Sequence, residues 1–317
     1  MSSLAWKLNR LRLMGAGEIA WRVEQIAQKK AARFGIGLAL DPPRPKPDHS
    51  NYTFLSSAAF NNGLDNPCAA ADRLLGGYWQ VFGLTDAQLG FPPEWNRDPK
   101  SGTLAPTSFG KSIDYRREAI VGDIKYLWEP SRHLELVTLA LAWRKTTDPK
   151  YLDGAGQLLT SWFDQCPYPN GVHWTSSLEL AVRLVNWSFA WQLIGGDASG
   201  LFRGEDGARL KARWLASVYQ HCHFIRGYFS RYSSANNHLF GEYMGLFIAC
   251  IVWPLWLESK AWQRVAHEGL EREARAQNFD DGVNREQAIY YHHEVMDMML
   301  LCERAGSAAQ VKFSDGY

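Results

Sequence analysis

Apolar residues recur at intervals of three and four along most of this chain. That spacing predicts helices over about 131–145, 149–165, 176–194, 206–226, 236–257, 260–276 and 284–304. Turn or helix-stopping chemistry marks most junctions: Asp148-Pro149, Pro167 to Gly171, Gly195-Gly196-Asp197 and Asp280-Asp281-Gly282. An earlier amphipathic stretch, Leu4 to Phe34, sets Leu8, Leu11, Ile19, Val23 and Ile26 against a face with Arg10, Arg22, Lys29, Lys30 and Arg33. Such a basic helix either docks on its own domain or lies on a membrane surface. Pro42-Pro43-Arg44-Pro45-Lys46-Pro47 follows as an extended linker, which divides the chain into 1–47 and a main domain over 48–317. From Asn51 to about Ile120, mixed Gly, Pro and aromatic residues predict short helices and long loops, an irregular lead-in to the helical region. No strong strand alternation appears, so the class is all-α. Helices of this length in series imply stacked antiparallel pairs, as in a bundle, solenoid or toroid. The lack of a fixed-period repeat weighs against a simple solenoid.

Composition narrows the partners. The chain has 317 residues, 46% hydrophobic and 21% charged, ample for a full core. A net charge of +1 argues against a protein built to grip nucleic-acid phosphates. Five cysteines (Cys68, Cys166, Cys222, Cys250, Cys302) are scattered without a C-x-x-C pair, which reads as small thiols rather than a disulfide framework or zinc site. The longest apolar run, Gly245 to Leu257, is too short to span a bilayer. Lys7, Arg10 and Arg12 interrupt any secretory core, so the chain as given reads as soluble and cytoplasmic. No H-E-x-x-H, P-loop or dinucleotide fingerprint is present, and no cofactor or metal is expected. Fourteen Trp supply core or, where exposed, platforms for the C–H faces of sugars.

Three places carry candidate chemistry. The helix over 176–194 is apolar nearly all round, yet Glu179, Arg183 and Asn186 form one polar stripe at i, i+4 and i+7. Either Glu179 and Arg183 pair internally, or the stripe lines a cleft where Arg183 forks onto a substrate carboxylate. Ser233 and Ser234 are plausible N-caps for the helix around Asn237, leaving Asn236 and Asn237 in its first turn, where free amides favour an anion. His238 and Glu242 share a face there, and Gly241 and Gly245 allow another backbone to approach. In the last helix, Glu286, Tyr290 and His293 form one stripe and Gln287, Tyr291 and Glu294 the next, so only one of the two tyrosines faces a cleft. A phenol acts readily as an acid, and as a base only beside positive charge.

These residues stand in an ordered set that resembles the heparinase II/III-like polysaccharide lyases. The blocks are Asp123-Ile124-Lys125 with Trp128-Glu129-x-Ser131-Arg132; His173-Trp174 leading to Glu179, Arg183, Asn186 and Trp187; Asn236-Asn237-His238-Leu239 with Gly241-Glu242; and Asp281-Gly282 with Glu286-Gln287-Ala288 and Tyr291-His292. The resemblance runs from about residue 70 to the C-terminus. It implies an incomplete α/α toroid, and β-elimination on a uronic-acid polysaccharide. Asn237 would neutralise the uronate and His238 would assist or serve as base. Tyr291, preferred to Tyr290 by its place before His292 and five residues after Glu286, would protonate the leaving oxygen and could also abstract the C5 proton. Trp128, Arg132, Trp174, Glu179, Arg183 and Glu242 would hold the substrate. The family's C-terminal β-sandwich has no counterpart in the chain as given, and a periplasmic address would fit the family. Two other readings stay open: a glycoside hydrolase using carboxylates such as Asp280, Asp281, Glu286, Glu179 and Glu242, and a non-catalytic module that binds acidic polysaccharide.

Overall fold

The computed structural model describes residues 13–46, 53–55 and 67–317. The start of the helix expected from Leu4, with Leu8, Arg10 and Leu11, and the end of the linker at Pro47 lie outside them. The helices are α1 (Ala16–Ala32), α2 (Pro67–Leu75), α3 (Glu118–Val121), α4 (Ile124–Ser131), α5 (Leu134–Thr146), α6 (Pro149–Gln165), α7 (Ser177–Leu193), α8 (Gly204–Gly227), α9 (Asn237–Val252), α10 (Ser259–Gln277) and α11 (Ile289–Ala308).

Their packing follows an alternating rule. Helices α2, α5, α7, α9 and α11 each pack on the next of this set, forming an inner row. Helices α6, α8 and α10 back the inner helices that precede them. The result is the expected all-α, incomplete α/α toroid. Apolar content explains which helices go inside. Every residue of α9 except His238 is buried, and α7 is buried on almost every side. Close approach within the row needs glycine: a Cβ on Gly245 would stand 2.5 Å from Cα of Ala181 on α7, and one on Gly241 would stand 2.6 Å from Cδ1 of Leu178.

Local chemistry fixes most helix ends. The Asp148 carboxylate accepts from the Lys150 amide at 3.1 Å, with Pro149 as the first helical residue, so α6 occupies the predicted span. Three boundaries depart from expectation. Helix α9 stops at Val252 because Pro254 disfavours helical backbone at Trp253 (φ −126°, ψ 69°). Helix α5 starts only at Leu134, after His133 turns left-handed (φ 62°). Helix α11 starts at Ile289 rather than 284, since Gln287 (φ 54°) and extended Ala288 interrupt it.

A short antiparallel hairpin, β1 (Tyr78–Val81) with β2 (Leu84–Gln88), stands where only helices and loops were expected. Its strands are too short for alternation to register, and a bulge between Trp79 and Val81 breaks the period. The proline-rich segment is tied down: Lys46 N–H donates to Leu255 O at 2.8 Å and Trp256 Nε1 to Pro43 O at 2.9 Å.

Candidate functional site

The polar stripe on α7 serves neither of its two expected purposes. All of it ends on the turn between α4 and α5, residues Ser131 to His133. Arg132 donates to Glu179 through Nε (2.8 Å to Oε2) and Nη2 (3.0 Å to Oε1). Arg183 Nε donates to the Ser131 carbonyl, and Asn186 Nδ2 to the Arg132 carbonyl at 2.8 Å. Trp187, next along, donates Nε1–H to His133 Nδ1 at 2.8 Å. Four consecutive contacts from one helix thus hold the turn that presents Arg132. The remaining edge of that guanidinium reaches Glu129 at 3.0 Å. Burial disfavours the Arg132 charge, but Glu179 and Glu129 outweigh it and hold the guanidinium firmly protonated.

Four of the residues expected to touch substrate lie inside the protein: Glu179, behind Arg132, together with Arg183, Trp174 and Glu242. Arg183 is fully buried, with its Cζ 4.5 Å from the Trp162 ring centre and Nη1 donating to His221 Nε2 at 3.0 Å. Burial pulls its pKa down to about 10. It supports the turn from below, and a carboxylate arriving from solvent does not reach it. Trp174 is buried against Tyr168 and His221 and donates to Cys166 O at 3.0 Å. Glu242 is buried and accepts from Ser230 N and Oγ, both at 2.7 Å; burial pushes its pKa up to about 7. Of the expected binding set, Trp128 and Arg132 stay partly exposed, one turn apart at the end of α4, with buried Glu179 holding Arg132 from behind. Trp128 is half-buried, donating to Val172 O at 3.1 Å beside Tyr115.

The other half of the site comes from the start of α9 and the approach to α11. Asn236, rather than Ser233 or Ser234, caps α9, accepting from the His238 amide at 3.1 Å. Glu286 is not on a helix: its Oε1 accepts from the Asn237 amide at 3.0 Å. The anion expected at this helix N-terminus is therefore supplied by the chain itself. The Asn237 side-chain amide has no hydrogen-bond partner among the described residues, although the residue is largely buried. His238 is the exposed residue of α9. Partial burial lowers its pKa, against the charges of Glu179 and Glu286, so the imidazole is neutral at pH 7.

Tyr291 and Tyr290 separate by face. Tyr291 begins the stripe that continues through buried Val295, Met298 and Cys302 at i+4, i+7 and i+11. Met298 packs against α9 at Gly241, one turn below Asn237 and His238. Tyr291 thus stands on the face of α11 that looks toward α9 and is 40% exposed, whereas Tyr290, its ring 5.9 Å from that of Tyr291, is 74% exposed. Glu294, one turn on, lies within electrostatic reach of Arg132 and Glu286, and burial raises its pKa. The sequence reading gave Glu294 no role in binding or catalysis. Its spacing from Tyr291 was the only available signal.

An amide, an imidazole, a phenol and a carboxylate-bound guanidinium are thus carried at the start of α9, the start of α11 and the end of α4. The chain belongs to the heparinase II/III family: residues 96–315 match the family model described as the heparinase II/III N-terminus. It is 22% identical over 222 residues to a heparin-sulfate lyase of Bacteroides stercoris, covering 65% of this chain and 31% of that protein. It is 23% identical over 173 residues to a heparin-sulfate lyase of Bacteroides thetaiotaomicron, covering 53% of this chain and 23% of the relative. Among solved structures, heparinase III superposes with a TM-score of 0.65 at 17% identity, over 85% of this chain and 39% of that one. The heparan sulfate lyase of Pedobacter heparinus gives 0.60 at 17% identity, over 84% and 38%. The chain therefore spans under two fifths of the length of each of these proteins.

Proposed function

We propose that this chain provides the toroidal half of a polysaccharide lyase acting on a uronic-acid-containing polymer by β-elimination. The observation that carries the reading is the placement of three groups. The unbonded Asn237 amide and the neutral His238 imidazole sit at the head of α9, and Tyr291 stands on the α11 face that looks toward them. Membership of the heparinase II/III family supports it. In this scheme the Asn237 amide donates to the uronate carboxylate and makes the neighbouring C5 proton more acidic. His238 Nε2 or Nδ1, being neutral, accepts that proton. The electron pair forms the C4–C5 double bond as the C4–O bond breaks, and Tyr291 protonates the departing oxygen. Trp128 and Arg132 position the polymer, and Glu179 holds Arg132.

The test is direct. Incubating the chain, and any longer natural form, with uronate oligosaccharides should give an ultraviolet-absorbing unsaturated end. Cleavage without that absorbance would overturn the lyase reading.

One observation favours a second reading, a glycoside hydrolase. Glu129, Glu179 and Glu294 gather around Arg132, and burial raises the Glu294 acid, with the Glu286 carboxylate adding to the shift. A carboxyl shifted upward by burial is the kind of general acid that hydrolysis uses. A non-absorbing product that disappears with Glu294→Gln would support it.

A further inference from the structure

Helix α1 has two opposite faces, and among the described residues only one is packed against the domain. Trp21, Gln25, Gln28 and Ala32, spaced i, i+4, i+7 and i+11, face the end of α8 and the loop after it. Trp21 packs on Tyr232 at 5.6 Å, Gln25 Nε2 donates to Gly227 O at 3.3 Å, and Ala32 is buried. Half a turn away, Ile19, Val23 and Ile26 repeat the same spacing and all point into solvent, with Val23 61% exposed. The loop after α1 continues the apolar surface with exposed Phe34, Ile36 and Leu40, Phe34 at 84%. Exposed Lys29, Lys30 and Arg33 flank this stripe. A lone exposed apolar side chain is ordinary; a run of six along one helix and its loop is not.

Charge says what covers it. Residues 1–40 hold seven Lys and Arg against two Glu, a net of +5 in a chain whose total is +1, so the remainder carries −4. We propose that the outward face of α1 and the loop after it dock this protein on an anionic lipid bilayer. The apolar stripe would enter the headgroup boundary while Lys29, Lys30 and Arg33 meet lipid phosphates. A soluble polyanion would use those cations and leave Ile19, Val23 and Ile26 in water. A second copy of the chain would bring like charges together across the stripe. Among the described residues no helix is long and apolar enough to cross a membrane, so the contact is with the surface. The acidic remainder would be held off the lipid.

Vesicle flotation of the full chain tests this. The protein should float with vesicles of equal phosphatidylglycerol and phosphatidylcholine, and at least about tenfold less with phosphatidylcholine alone. Val23→Glu with Ile26→Glu should reduce flotation at least about tenfold. Their thermal unfolding should match the parent, because both side chains are exposed. Lys29→Gln, Lys30→Gln and Arg33→Gln together should remove the salt-sensitive part of the binding. No flotation with the anionic vesicles, equal flotation with both, or a glutamate variant that floats like the parent would each overturn the proposal. None of these readouts depends on catalytic activity.

Discussion

Arg132 meets Glu179 with two parallel hydrogen bonds of 2.8 and 3.0 Å, and the Glu179 carboxylate is almost wholly withdrawn from solvent. Removing one partner strands the other. Arg132→Met leaves a buried carboxylate uncompensated and should lower unfolding stability by about 3–5 kcal/mol in urea titrations. Adding Glu179→Leu to Arg132→Met should recover much of the loss, because the desolvated charge is then gone. A single mutant as stable as the parent would mean the pair contributes nothing.

The two adjacent tyrosines should behave differently. If Tyr291 supplies the leaving-group proton, Tyr291→Phe lowers kcat by about 100- to 10,000-fold, measured as unsaturated product. Tyr290→Phe should leave kcat within about twofold, since it lies off the α11 stripe that packs on α9 and is 74% exposed. Reversed effects would move the catalytic role by one residue.

The His238 imidazole, held below the ordinary histidine range by burial, should show as the acid limb of kcat/KM. As base it must be neutral, so activity should persist through pH 7 and fall only below about pH 6.5. His238→Gln should lower activity and remove that limb; a retained limb would assign it elsewhere.

His133, His173 and His221 are all buried around Trp162 and beside Arg183. Burial first, then the Arg183 charge, depresses all three, His173 to about 3. Their folded pKa values lie below the unfolded value of about 6.5, so the unfolded chain binds more protons as the pH falls. The stability they confer is complete above that value and drains away below it. Buried Glu242 and Glu135, raised to about 7 and about 8, pull the opposite way, so a difference experiment is cleaner. His173→Gln should flatten stability against pH, between about pH 6 and 5, by about 1.4 kcal/mol per pH unit relative to the parent. Equilibrium urea unfolding at those pH values checks this.

The closest helix contact in the inner row predicts a steric penalty. Gly245→Ala puts a methyl 2.5 Å from Cα and Cβ of Ala181 and should cost about 1–3 kcal/mol of stability. Gly241→Ala meets only the movable end of Leu178 and should cost less in the same assay.

Much of this was legible where the signal is local. The 3.6-residue period and the Asp148-Pro149 junction place α6 without any tertiary information, and the apolar girth of α7 and α9 marks them as interior. What the sequence hides is partnership across distance. Glu286 reads as a helix former, but it leaves α11 to bind an amide 49 residues earlier. Arg183 and Asn186 share a stripe with Glu179, yet their partners are backbone carbonyls on another helix, which no spacing rule names. The two asparagines could not be told apart either: Asn236 became the cap and Asn237 kept its side chain unbonded.

The Glu286 contact also bears on how the chain matures. Synthesis runs from the N-terminus, so the opening of α9 leaves the ribosome well before the carboxylate that completes it. Until Glu286 emerges, the Asn237 backbone amide lacks this acceptor and bonds to water instead. The head of α9 is therefore completed only after a segment 49 residues further along has been made.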